Sequence, residues 1–412
     1  MRRTNDRRLI GALQFGTATV EGVVLSTIVL QVALELDLPA PLIGMILALG
    51  AVTSLVFAVP LGDLADRLGL GRAAALFAAL AALAVAGYAV TDSAAGFAAA
   101  AIAFGVAQST SAAARQALAV DGAVPADRLA IRATMNLLLN AGIGLGTVLG
   151  AVLAASGLGP TTRIAYGIGA VIMVLTAVSA LTLRRPARAA RRGGWAETMI
   201  ALRDRRFAAA TGFAAAIQLT MPVLSVILPI WVLEQTAAPI WLPGVALGLN
   251  TILVIIGQRP YAARVRTTRA TVRTALIAAG GLGVAGVLLA GSGAVPSPSL
   301  VVVLILAGIV ALTVGEVCGG IATWRVALDH VPDWAEGRYQ AAFSMSTSAA
   351  RIVGPAAALP LVIMLGPVGW LILTAVMAAA CFGIAALAQA PALRDAAAPI
   401  SEAATPRGGA RT

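Results

Sequence analysis

Lysine is absent from the 412 residues, histidine occurs once and cysteine twice, and charged residues of either sign amount to only 11%. An ordinary soluble domain carries about 25% charged residues, so this scarcity excludes that class. Cys318 and Cys381 both sit inside apolar runs, which excludes a disulfide framework and leaves the redox compartment unread. The single histidine, His330, cannot build a His/Cys/carboxylate cluster. With no phosphate-binding glycine loop and no nucleophile elbow either, neither an enzyme nor a bound cofactor or metal is expected. What fills the chain is apolar: 59% hydrophobic residues and a mean hydropathy of +0.92. Runs long enough to cross a hydrocarbon core, which takes roughly 20 helical residues, recur from Leu9 to Leu387 and leave no room for a soluble domain. The lipid bilayer is the expected solvent, and an all-α integral membrane fold the expected class.

Breaks at proline, glycine and charge clusters divide the chain into spans near 9–36, 42–61, 73–90, 95–118, 131–155 and 163–183, then 207–233, 240–258, 273–291, 299–323, 340–365 and 368–388. The expected organisation is twelve transmembrane helices in two pseudo-symmetric halves: a six-helix bundle over 1–183, a linker over 184–206, a second bundle over 207–390, and a disordered tail over 391–412. Arg2, Arg3, Arg7 and Arg8 resemble the start of a signal peptide, but no cleavage site follows, so the first span is expected to be retained.

The net charge of +11 would point to nucleic acid on a soluble fold. Here the basic residues, all arginine, occupy alternate loops: the N-terminus, 62–72, 119–132, 184–206, 259–273, 325–338 and the tail. The opposite loops hold only Arg163, while Arg115 and Arg351 fall inside spans. Cytoplasmic loops retain arginine, so both termini are expected in the cytoplasm, in a multi-pass cell-membrane protein with no nucleic-acid partner. A short surface helix over Trp195–Leu202 is compatible with the arginine-rich linker.

After the second span comes GDLADRLGLGR, Gly62 to Arg72. This resembles the loop signature of the major facilitator superfamily, Gly-x-Leu-Ala-Asp-Arg-x-Gly followed by basic residues. Gly62, Leu64, Ala65, Asp66, Arg67 and Gly69 match it, and Arg72 stands in for the basic pair. The resemblance implies a tight cytoplasmic turn with Asp66 near the start of helix three. It also implies a gating cluster of Gly62, Asp63, Asp66, Arg67, Gly69 and Arg72 that latches the halves together. The corresponding Gly257–Arg273 loop has arginines and no acid. Gly142, Gly144, Gly146 and Gly150 on helix five resemble the glycine signature of proton-driven exporters, with Thr147 where that signature has proline and Gly-Pro appearing instead at Gly354-Pro355. Small residues four apart also serve ordinary close packing in lipid. Residues 95–108 hold no charge, so the exporters' arginine signature on helix four is missing. The lysine-free, Ala/Arg-rich composition and GEVCGGIATW, Gly315 to Trp324, resemble an actinobacterial branch of the superfamily.

A charged side chain at bilayer depth costs several kcal/mol unless paired or wet, which singles out Glu21, Arg115, Glu316 and Arg351. Glu21 lies roughly 18 Å along helix one, near the midplane. Gln14, Thr17, Glu21 and Gln31 fall within an arc of about 100° and read as a stripe lining a cavity. In the superfamily, helices one, four, seven and ten surround a central site, so Gln218, followed by a proline kink at Met221-Pro222, is expected to face Glu21. Glu316 and Arg351 lie on neighbouring helices and are expected to pair. Arg115 is expected to snorkel to the surface, pair with Asp121 or join the cavity. Asn136, Asn140, Asn250 and Trp324 are further lining residues.

With no ATP-binding motif, the expectation is secondary active transport of a small-molecule substrate by alternating access. Protons would be exchanged at Glu21 and Glu316, since a carboxyl group kept from water generally holds its proton more tightly than an exposed one. The leading expectation is efflux of a drug-like or secondary-metabolite molecule by a monomer. Uptake of a sugar, organic acid or peptide by symport, or a non-transporting sensor or enzyme on the same scaffold, are the alternatives.

Overall fold

The computed structural model describes residues 2–121, 125–183, 202–328 and 336–390. Among these, the regular structure is entirely helical. The helices are α1 (Arg2–Glu35), α2 (Ala40–Leu68), α3 (Leu70–Val90), α4 (Ala94–Val120), α5 (Pro125–Ala155) and α6 (Pro160–Thr182). They continue with α7 (Arg205–Gln235), α8 (Leu242–Ala262), α9 (Thr268–Ser292), α10 (Pro298–Leu328), α11 (336–365) and α12 (Pro367–Gln389). Twelve of the described helices are long and apolar enough to cross a membrane, as the sequence led us to expect.

Their ends follow from local chemistry. Ser93 accepts from the Gly96 amide, Thr267 from that of Ala270, and Asp204 from those of Arg206 and Phe207, each satisfying donors that an N-terminus leaves bare. The turn between α2 and α3 is the single residue Gly69, at φ 85°, a conformation that residues with a Cβ rarely adopt. This corrects one expectation: α2 runs through the Gly62–Leu68 signature, so Asp66 lies in its last turn and not at the start of α3. There it is Arg67 that complements the negative helix end. The helix expected near Trp195, the tail and His330 lie outside the described residues.

The two halves repeat. In the first, α1 packs on α5 and α6, α3 on α4 and α6, and α2 on α4. Shifting each number by six gives the pairs of the second: α7 on α11 and α12, α9 on α10 and α12, and α8 on α10. The halves meet along α2 with α11 and α5 with α8, pairs that the same shift exchanges.

That seam is tight toward one end. A side chain on Gly44 would collide with the Pro355 carbonyl, one on Gly244 with Ala151, and one on Gly144 with Thr251. Gly44, Ala151 and Gly244 all lie toward the end that is poor in arginine. Two turns from Gly144 toward the other end, on the same face of α5, Leu137 is 46% exposed; two turns beyond Thr251 on α8, Gln258 is exposed as well. Along α5 and α8 the seam therefore loosens toward the arginine-rich end.

Two helices of the second half are interrupted. In α7 the α-helix ends at Ile217, and a π-helical turn, Val223–Ile227, follows Pro222; in α11 a π-helical turn spans Gly354–Ala358 and contains Pro355. Proline donates no amide hydrogen and crowds the carbonyl four residues back, which disrupts the regular ladder. The expected kink at Met221-Pro222 is present, and it packs against the second break, since Gly354 sits directly on the Pro222 ring.

Candidate functional site

The first polar cluster joins α1 to α4. Arg115, only 1% exposed, donates from Nε to Gln14 Oε1 (3.1 Å), from Nη1 to Ser111 Oγ (2.6 Å) and from Nη2 to Thr17 Oγ1 (2.9 Å). Ser111 in turn donates to the Ala74 carbonyl of α3. All three partners of the guanidinium are neutral, and the charge whose field reaches it is that of Glu21. Glu21 is half-buried and accepts from Gln108 Nε2 at 3.2 Å. Gln108, Ser111 and Arg115 share one face of α4 at spacings of three and four, a pattern legible in the sequence but passed over because two of its members are uncharged.

This arrangement corrects two expectations. Arg115 neither snorkels nor turns outward to Asp121; burying it among α1 hydrogen-bond partners replaces the water that its charge would otherwise seek. Gln14 and Thr17 are buried against Arg115 of α4, where a cavity lining was expected, and buried Gln31 donates to Glu35 Oε2 of its own helix at 3.2 Å. Glu21 meets Gln108, whereas Gln218 donates to Thr347 Oγ1 at 3.4 Å, so no hydrogen bond links Glu21 to Gln218 across the halves.

The second cluster joins α8 to α10. Asn250 Nδ2 donates to Glu316 Oε2 at 2.7 Å and to Thr313 Oγ1 at 3.0 Å. The expected Glu316–Arg351 pair is not made: among the described residues no ion pair joins them, and Arg351 is exposed on α11. Asparagine on α8 reaches the carboxylate first, at the same helical level.

Glu316 opens on a cavity of about 110 Å³ walled by α7, α8, α10 and α11. Its lining includes Gln218, Val254, Gln258, Thr323, Trp324 and Phe343. Glu316 is the one ionisable residue among the described lining residues. Trp324 and Phe343 pack at a centroid distance of 4.6 Å with their rings tilted by 46°, forming an aromatic wall. Thr313, Glu316, Gly320 and Thr323 recur at helical spacing on α10 and mark this face, as the acid alone did in the sequence. Gln258, Phe343 and Thr347 carry no such signal. Of the remaining expected lining residues, Asn136 is exposed and Asn140 half-buried on α5.

Within the α2–α3 segment, Asp63 is half-buried, Arg67 and Arg72 are exposed, and a Cβ on Gly62 would meet nothing within 4 Å. Among the described residues, no ion pair engages Asp63, Arg67 or Arg72. Of the helix-five glycines, Gly142, Gly146 and Gly150 abut Phe15, Thr19 and Ser26 of α1, so their spacing serves close packing within the first half. Only Gly144 faces the other half.

A two-bundle fold with a polar cavity off the seam is the architecture of a membrane transporter. The family model described as Major Facilitator Superfamily matches residues 10–355, and the chain belongs to that superfamily. No curated protein matches it significantly. Among solved structures, the nucleoside transporter NupG is similar at a TM-score of 0.73 and 15% identity, covering 94% of this chain and 100% of its own. An auto-inhibited POT family peptide transporter reaches 0.73 at 16% identity, with 97% and 99% covered. A bacterial homologue of the human lysosomal transporter Spinster, in an inward-facing and unoccupied conformation, reaches 0.67 at 11%, with 94% and 95% covered. At these identities the likeness is one of fold.

Proposed function

We propose that this transporter exports a drug-like or secondary-metabolite molecule in exchange for protons, with its arginine-rich end and both termini in the cytoplasm of a plasma-membrane protein. The observation that carries this reading is Glu316: a half-buried acid lining a cavity, held by the neutral amide of Asn250, with no cation among the described lining residues. A carboxylate so placed can bind either a proton or a ligand, and competition between the two couples their opposite movements. Glu21, across the seam, is the second acid of the coupling set. With the arginine-rich end inside, the described form is open to the cytoplasm, where an exporter collects its substrate. The Gly62–Arg72 segment, whose arginines make no ion pair among the described residues, would latch the halves when the opposite end opens.

The test is gradient-driven flux in proteoliposomes. A pH gradient should drive export by the parent chain, and Glu316→Gln should reduce that flux at least tenfold while leaving the protein folded. Unchanged flux in both Glu316→Gln and Glu21→Gln would refute proton coupling at these acids. Accumulation in cells fixes the direction, since export lowers internal substrate and symport raises it.

A further inference from the structure

We infer that the cavity beside Glu316 binds an organic cation, with its ammonium group at the carboxylate and its aromatic or alkyl part against Trp324. This names the substrate class of the export site proposed above and rests on that reading for the route the ligand takes. The binding chemistry itself rests on geometry alone.

Four features of the cavity converge on a cation. Asn250 occupies one carboxylate oxygen, Oε2, and among the described residues Oε1 accepts no hydrogen bond, which leaves an acceptor for a charged donor. Among the described lining residues the other polar groups, Gln218, Gln258 and Thr323, are neutral, so no basic side chain among them competes for Glu316 or receives an anion. The guanidinium of Arg115 is taken up by Gln14, Thr17 and Ser111 on the far side of the seam. Trp324, 38% exposed and packed on Phe343, lines the cavity, and aromatic rings attract cations and planar apolar groups alike.

The spacing also constrains the ligand. Glu316 and Trp324 are eight residues apart on α10, about 12 Å along the axis, so the charged and aromatic parts must be joined by a short linker. Gly320 lies between them, one turn from each, and a Cβ there would meet nothing within 4 Å. A side chain at 320 would therefore occupy ligand space without displacing protein atoms.

The experiment is equilibrium binding to the purified full-length chain in detergent, without any gradient, using three probes that share a phenylbutyl group: the primary ammonium, the uncharged alcohol and the carboxylate. The cation should bind at least tenfold more tightly than the other two. Glu316→Gln and Gly320→Leu should each weaken it at least tenfold while the unfolding temperature stays near that of the parent. Arg351→Gln should leave cation binding unchanged or tighten it. Equal binding of the three probes, absence of cation binding to the parent, or undiminished binding to Glu316→Gln would overturn the inference. So would a preference for the carboxylate that disappears in Arg351→Gln. Selective cation binding without pH-driven flux would leave this inference standing and remove the export reading, so the two fail separately.

Discussion

The two halves share one packing scheme but use their buried charge in opposite ways. In the first half, Arg115 is satisfied by Gln14, Thr17 and Ser111, with the charge of Glu21 nearby, and the cluster holds α1 and α4 together. In the second half, Glu316 has a single neutral donor at one oxygen and opens on a cavity. The helices differ in the same sense. α1 and α5 are unbroken and pressed together along glycines, whereas their counterparts α7 and α11 both carry a proline beside a π-helical turn. π-helical turns recur at functional sites and mark places where a helix can change its register or bend. The first half is built as a frame, and the second half carries both the cavity-lining acid and the irregular helices.

The sharpest test of this contrast sets one charge against the other. Arg115→Met should destabilise the protein by about 3 kcal/mol or more, because it leaves the buried Gln14 oxygen without a donor and removes the cation whose field meets Glu21. Glu316→Gln should change stability little, since a glutamine oxygen still accepts from Asn250, yet it should abolish coupled transport. Thermal unfolding and flux measured on the same preparations would check both, and a stable Arg115→Met with normal transport would end the distinction between frame and site.

Next in expected size is the contact between the two broken helices. Gly354→Ala places a methyl group on the Pro222 ring, and overpacking of this kind costs about 1–3 kcal/mol. If α7 and α11 bend as a pair, the variant should also slow transport more than its stability loss explains. Gly150→Ala, which crowds Ser26 within the first half, should destabilise without that extra loss of rate. Equal behaviour of the two variants would remove the special role given to the second half.

How far the sequence reveals this contrast depends on the kind of signal. Hydropathy is set by long runs, so the twelve spans were readable, and the alternation of arginine-bearing loops gave the expected orientation. The Met221-Pro222 kink was readable because proline acts locally. Partners were less legible. Glu316 was expected to pair with Arg351 because opposite charges on neighbouring helices attract, but helix rotation decides which side chains meet, and it placed Asn250 on the carboxylate. The α1 stripe was read as facing water for the same reason. Periodicity fixes which residues share a face, not what that face meets. Gln108 and Ser111 went unnoticed because neutral side chains carry little weight until a buried charge needs them.

Glu21 sits on the boundary between the two descriptions, so its replacement sharpens the comparison with a smaller effect. Glu21→Gln keeps a hydrogen-bonding partner for Gln108 but removes the charge facing Arg115, for an expected stability loss of about 1 kcal/mol. A drop in pH-driven flux well beyond that loss would place Glu21 with Glu316 in coupling and extend the working part of the protein across the seam. Flux reduced only in proportion to folded protein would assign Glu21 to the frame.

The smallest effect belongs to Arg163, the basic residue of the arginine-poor side. Its Nη2 bonds Glu35 at 2.9 Å and Asp92 at 3.0 Å, fastening the start of α6 to the end of α1 and to the link between α3 and α4. All three elements belong to the first half, so the clamp should move with that half as one body during transport. The Arg163 side chain is 37% exposed and that of Asp92 75%, and salt screens ion pairs so placed. Arg163→Gln should therefore lower the unfolding temperature slightly, and by less at 1 M salt than at 0.05 M, without altering flux. An effect on flux that persists at high salt would show that the first half changes shape within itself, and the frame would then have to be redrawn to exclude the arginine-poor end of α1 and α6.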